Sequence, residues 1–272
     1  MDTIKQIFNS VSNPVFAALG ALGPVWGLIV LSVFTGILML IIFKWASNQS
    51  GIKTIKNRIK AHLLELRLYK DDANLSFSAL GSIFLNNLKY LAFALKPMII
   101  LMIPMIFIII QIAARYEYRP LQANESVIVS AWFDKNVDLR KVQLQTPKAI
   151  KIETPPLRLP SQQRIFWRLR ALKAGDWEIQ IQASGETVSK DLFVGKRISS
   201  LASHRVQKSS LLTLVYTAEA SLPSDAAIKE IAVDYPNRDL VILGLHIHWL
   251  VLFFALSIVG GYALKGAFGV EI

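Results

Sequence analysis

Few side chains in this chain are suited to chemistry. His246 and His248 stand two apart inside an apolar run, where paired imidazoles could hold a metal ion or pass a proton. On a helix, residues two apart face different ways and are poorly placed to share one metal; an extended entry to the run would bring them onto one side. With Trp249 beside them, a pair at a membrane boundary is the plainer reading. His62 and His204 are isolated in sequence and read as surface residues. There is no cysteine, which removes disulfides and thiolate metal sites. The chain holds no Gly-rich phosphate loop, no GxSxG and no HExxH. The carboxylates after residue 115 are scattered at surface-type positions. The expectation is a protein that is not an enzyme, with no catalytic residue, cofactor or metal.

Lys96 carries more information. It precedes Pro97 in an otherwise uncharged run, so its ammonium must snorkel, find a partner or face a wet cavity. Pro97 and Pro104 would disturb the backbone hydrogen bonds of the same helix. Gln111, Thr35, Ser32 and Ser257 add polarity to neighbouring runs. Facing inward, Lys96, Gln111, Thr35 and Ser32 would make a shallow hydrophilic groove. Snorkelling of Lys96, and routine packing of Ser and Thr between membrane helices, are the competing readings.

These residues need elements to position them, and the chain is 53% hydrophobic over 272 residues. The apolar excess collects in three runs, Val25–Phe43, Pro97–Ala114 and Leu240–Leu264. Each approaches or exceeds the ~20 residues that cross ~30 Å of hydrocarbon. Trp26, Trp45, Tyr90, Tyr116, Tyr118 and Trp249 mark the ends, and Lys44 and Lys265 close two of the runs. The net charge of +11 would suit nucleic acid, but much of it flanks the spans, where anionic lipid explains it more simply. Residues 1–20 lack the pattern of a cleavable signal.

Between the first two runs lies GIKTIKNRIKAHLLELRLYKDD, residues 51–72. Ile52, Ile55, Ile59, Leu63 and Leu66 form one apolar stripe at helical spacing, suited to a coiled coil or a helical hairpin. Asp71 to Asn74 reads as its turn, with Ser76 or Ser78 capping the returning helix. Lys53, Lys56, Arg58, Lys60 and Arg67 make the arm basic, which places it in the cytoplasm and the N-terminus outside. Residues 3–22 read as an interfacial amphipathic helix or, equally, as a frayed N-terminus.

Residues 115–239 change to period two: 126–133, 149–153, 164–172, 177–183, 187–194 and 211–216. Turn residues separate them, which predicts a β-sandwich. Residues 173–181 are similar to a turn and strand of immunoglobulin-like modules. A short helix is expected over 223–232. The predicted organisation is an interfacial segment (1–22), a first transmembrane helix (23–46), a cytoplasmic coiled-coil arm (47–88), a second transmembrane helix (89–114), an extracytoplasmic β-sandwich (115–239), a third transmembrane helix (240–265) and a cytoplasmic tail (266–272). The fold class is thus membrane α-helical, with three transmembrane helices, a helical hairpin and an all-β, immunoglobulin-like sandwich.

This order of elements resembles the reduced core of the YidC-like membrane insertase superfamily. The resemblance rests on the arm at 51–72, Lys96-Pro97 opening the second span, and the amphipathic N-terminal stretch. It departs from the family in two ways. The first span carries no positive residue, and a β-domain fills the connection between the second and third spans. The resemblance implies a non-enzymatic insertase or insertion chaperone. A cytoplasm-open groove would lower the cost of moving polar groups through lipid. The partners implied are membrane lipids, nascent or client membrane proteins, and a ribosome or targeting factor received by Lys53, Lys56, Arg58, Lys60 and Arg67. The implied location is the bacterial inner membrane, with the β-domain outside and the C-terminus in the cytoplasm. The alternative is a membrane-anchored interaction subunit of an envelope or transport complex, in which the β-domain meets an envelope protein. A polar groove containing Lys96 separates the first reading from the second, which needs only helices packed on Ser, Thr and Gly.

Overall fold

The computed structural model describes residues 22–69, 71–195, 200–208, 218–242 and 244–271, with positions 14, 16, 19, 213, 215 and 216. Helix α1 (Pro24–Ala46) is 23 residues long. It starts on a proline, whose fixed φ suits the first helical position, and it is apolar all round, as expected of a buried or membrane helix. Helix α2 (Gln49–Leu68) follows after a short bend; the Asn48 side chain caps it by accepting the Gly51 N–H at 3.0 Å. Helix α3 (Ala73–Tyr116) runs 44 residues through both Pro97 and Pro104, or about 66 Å. Helix α4 (Trp249–Leu264) has 16 residues, about 24 Å. Among the described residues two helices, α1 and α3, are long and apolar enough to cross a membrane.

Between α3 and α4 the chain is β-rich. The strands are β1 (Ser126–Phe133), β2 (Gln143–Gln145), β3 (Ile150–Ile152), β4 (Leu157–Leu159), β5 (Arg164–Ala171), β6 (Gly175–Ala183), β7 (Glu186–Val194), β8 (His204–Val206), β9 (Ile228–Val233), β10 (Leu240–Ile242) and β11 (Leu245–Ile247). One antiparallel sheet has the order β3-β5-β1-β9-β8, with β4 also on β5; a second is β2-β6-β7. The alternation of Val127, Val129, Ala131 and Phe133 sends one face of β1 inward. Ile165, Trp167 and Leu169 of β5 and Ile179, Ile181 and Leu192 of β6 and β7 join the same apolar core. Tyr235 is buried in it, and its hydroxyl accepts the Phe193 N–H at 3.1 Å. Where the chain enters and leaves, Tyr118 bridges Asn237, and the N–H groups of Arg119 and Arg238 reach the carbonyls of Pro236 and Glu117 at 3.0 and 2.9 Å.

The fold divides into two compact units, one of residues 1–27 and 109–249, the other of 28–108 and 250–272. The first therefore takes in the last turns of α3 and the β10–β11 hairpin, beyond the expected limits of 115 and 239.

Several expectations need correction. The third apolar run is not one helix over 240–265: β10 and β11 pair across Gly244, whose φ of +81° breaks the helical path, and the helix starts only at Trp249. Residues 228–233 form a strand where a short helix was expected over 223–232, because Ile228, Ile231 and Val233 enter the sheet core. Asp72, not Ser76 or Ser78, caps α3, accepting the Leu75 N–H at 3.1 Å. The boundary expected at 88/89 is helix interior. Along the arm Ile52 and Ile55 are buried, but Leu63 is 52% exposed, so the stripe closes only near its start. The interfacial helix at 3–22 lies outside the described residues except for four positions, and the strand at 211–216 except for three.

Candidate functional site

Of the residues expected to line a groove, Ser32, Thr35 and Lys96 belong to the second unit and do not share a cavity there, and Gln111 belongs to the first. Ser32 and Thr35 are buried along α1, and the Ser32 hydroxyl donates to the Leu28 carbonyl at 2.6 Å. Gln111 is buried too, and both its backbone carbonyl and its Oε1 accept from Arg115 at 2.9 Å. Lys96 is exposed on α3. Fifteen helical positions separate it from Gln111, about 22 Å of axis. The helices of this unit instead meet on small residues. A Cβ at Gly36 would lie 2.2 Å from the Ser257 carbonyl oxygen, and one at Gly261 3.3 Å from the Gly36 oxygen. Beside this crossing is a cavity of about 380 Å³, walled by Met39, Phe43, Leu101, Met105 and Phe254 among others.

On the arm, Lys53, Arg58, Lys60 and Arg67 are exposed, while Lys56 lies 3.4 Å from the Glu271 carboxylate. His62 faces Glu65 at 2.8 Å. His246 sits in β11 opposite Val241, and the His248 ring lies 5.7 Å from that of Trp249. Among the described residues no three His, Asp or Glu side chains converge as metal ligands.

A constellation that sequence reading missed lies on the outer face of the larger sheet. Strand register builds it. Ser130 on β1 pairs with Ala232 on β9, which pairs in turn with His204 on β8. In the next row, Arg164 on β5 pairs with Trp132 on β1, which pairs with Glu230 on β9. Directly paired residues share a face, so these six side chains surround one pocket of about 220 Å³, with the single methyl of Ala232 at its floor. His204 is thus not isolated: its Nδ1 is 2.6 Å from a Glu230 oxygen, and its ring stacks on Tyr216 at 4.5 Å. Arg164 and Lys229 lie 5.6 and 5.4 Å from the Trp132 ring centre, within cation–π range. The His204 hydrogen bond, more than the nearby charge of Arg164, holds the Glu230 carboxyl below its usual range.

What the pocket can do follows from spacing. Ser130 and His204 are two strand spacings apart, about 9–10 Å, too far for a hydroxyl nucleophile and its base. The arrangement suits binding: a flat indole, a guanidinium fork and an imidazole fixed through Nδ1, so that Nε2 can serve a ligand. The signal available in sequence was the outer-face series Ser126, Ile128, Ser130, Trp132, which places a tryptophan where a solvated face ordinarily carries small polar residues. The partners from β8 and β9 depend on register across distant strands.

A second feature braces the same unit. Lys190 on β7 is fully buried; it reaches the Ala202 carbonyl and lies 2.6 Å from Glu219, whose other oxygen accepts the Asp191 N–H at 2.8 Å. Burial pushes the Lys190 ammonium down and the Glu219 carboxyl up from their usual ranges. Glu219 therefore departs from the expectation of surface-type carboxylates. No protein-family model matches this chain, and neither a curated protein nor a solved structure is significantly similar to it.

Proposed function

We propose that this is a membrane-anchored interaction protein, in which three helices hold the chain in the bilayer and an immunoglobulin-like β-sandwich on the extracytoplasmic side binds an envelope partner through its outer-face pocket. The observation that carries this reading is the packing of the helical unit. Its polar side chains Ser32 and Thr35 are buried in helix packing, Gly36 meets the Ser257 backbone, and the exposed Lys96 does not line the cavity. Close approach on small residues is how membrane helices associate when lipid is the solvent. A path for polar client segments needs polar lining, whereas this cavity is walled mainly by Met, Leu, Ile and Phe, with Ser257 and Tyr262 as its polar side chains. The third span is α4, short for a bilayer and bounded by Trp249 and Lys265 as interfacial anchors; local thinning accommodates such a length. The basic arm marks the cytoplasmic side.

One observation favours the insertase as a second reading. The arm and the start of α3 expose Leu63, Leu68, Phe77 and Phe84 beside the lysines and arginines, a surface that an apolar client segment would match. Photo-crosslinking residues placed at Ser130 and at Leu63 of the full-length protein in native membranes separate the two. Display predicts an envelope protein captured from position 130 and lost on Arg164→Glu. Newly made membrane chains captured from position 63, with nothing from position 130, would overturn it in favour of insertion.

A further inference from the structure

The cavity between the helices has an end that the anchor reading does not use. Helix α1 passes it at Met39 and Phe43 and then reaches Lys44. Helix α4 passes it at Phe254 and Tyr262 and then reaches Lys265. Helix α3 runs the other way, so Lys96 comes before its lining residues Leu101 and Met105. Helices α1 and α4 thus each bring a lysine to the same end, whereas Lys96 stands five and nine positions before Leu101 and Met105, on the far side of α3. Contacts hold that end together. Lys44 Nζ donates to the Phe268 carbonyl at 2.7 Å, the Lys265 ammonium lies 3.6 Å from the Tyr262 ring centre, and a Cβ on Gly51 would touch the Phe93 ring one turn before Lys96. The nearby carboxylate Glu271 is already engaged by Lys56 at 3.4 Å, so it does not cancel the lysines.

We infer that this cleft is a binding site for one anionic phospholipid, with an acyl chain in the cavity and the phosphate under Lys44 and Lys265. The cavity volume of about 380 Å³ lies at the low end of small-ligand sites and is too small for a helix ~10 Å across to lie along it. Its lining suits methylene groups. An ammonium offers three N–H donors, so Lys44 keeps two beyond the one spent on Phe268, and lysine is a habitual phosphate partner. A basic end on the cytoplasmic side faces the leaflet that carries anionic lipid. The inference rests on the reading of these helices as membrane spans.

The test uses the full-length protein in detergent, with an equimolar mixture of phosphatidylglycerol and phosphatidylcholine, read by native mass spectrometry. The expected result is a preference of about tenfold for phosphatidylglycerol. It should fall towards onefold in Lys44→Gln/Lys265→Gln. In Ile258→Trp, which fills the mouth without changing charge, occupancy by both lipids should fall several-fold while thermal stability is kept. Equal retention of the two lipids by the unmodified protein would overturn the site, as would an undiminished preference in the lysine variant or an undiminished occupancy in Ile258→Trp. Carbonate extraction of native membranes separates the two failures: a chain released by carbonate refutes the anchor, whereas a retained chain without lipid preference refutes only the lipid site.

Discussion

The helical unit and the β unit use the same side chains in opposite ways. In β1 and β5, Val129, Ile165 and Leu169 are 0% exposed, whereas Ile99 and Ile103 of α3 are 61% and 62% exposed. The β unit closes its apolar faces against each other and turns Ser130, Arg164 and Glu230 outward. Over the middle of α3 Ile99, Ile100, Ile103 and Ile106 face outward, so their apolar partner must be the surroundings. Apolar surface on that scale marks a membrane or an interaction site. Polarity is therefore informative at different places in the two units: on the outer sheet face of one, and at the buried small-residue crossing of the other.

The contrast can be broken most sharply inside the β unit. Lys190→Ala leaves the Glu219 carboxylate buried without its partner, and should cost about 3–5 kcal/mol in urea unfolding. Replacing both partners together with apolar residues should recover much of that loss. Next comes Ile103→Arg. In lipid this charge costs ~2.5–3.5 kcal/mol at a helix centre, so carbonate-resistant integration should fall. Unchanged integration would place α3 in water and remove the contrast.

A third substitution tests the helix crossing. Gly36→Val drives a side chain into the Ser257 backbone and should cost about 1–3 kcal/mol. Gly81→Ala, with no atom within 4 Å of its added methyl, should be neutral or stabilising by under ~1 kcal/mol. Thermal melts of the two variants in detergent measure the difference.

The smallest effect is on acidification. Glu230 and Glu125 have folded-state pKa values below their ordinary ones, through His204 and Arg119 respectively. Their contribution to stability is therefore present above the unfolded carboxylate value and lost as pH falls through the folded one. The melting temperature should drop modestly below about pH 4, and the drop should shrink in Glu230→Gln.

Strands were legible wherever inward and outward residues alternate without interruption: 126–133 matches the structure end to end, and 164–172 and 187–194 to within a residue. Uniformly apolar runs were also legible as helices, because composition alone makes α1 and the second half of α3 what they are. Leu240–Ile247 was misread because an apolar run has no period to distinguish strand from helix, and the decisive signal was one glycine. The surroundings of the groove residues are illegible for a different reason: Ser32, Thr35 and Gln111 are polar, but a hydroxyl or amide can be satisfied by its own helix, as the bonds to Leu28 and from Arg115 illustrate. The outer-face pocket was invisible because Arg164, Trp132, Glu230 and His204 are brought together by register between strands far apart in the chain.

The paired segments around Tyr118 and Asn237 have a consequence for how this architecture is assembled. A module whose two ends already lie side by side makes little demand on the connection that receives it. The whole cassette, roughly residues 119–236, could be excised and its ends joined by a few glycines, or transplanted into a tight turn of another scaffold.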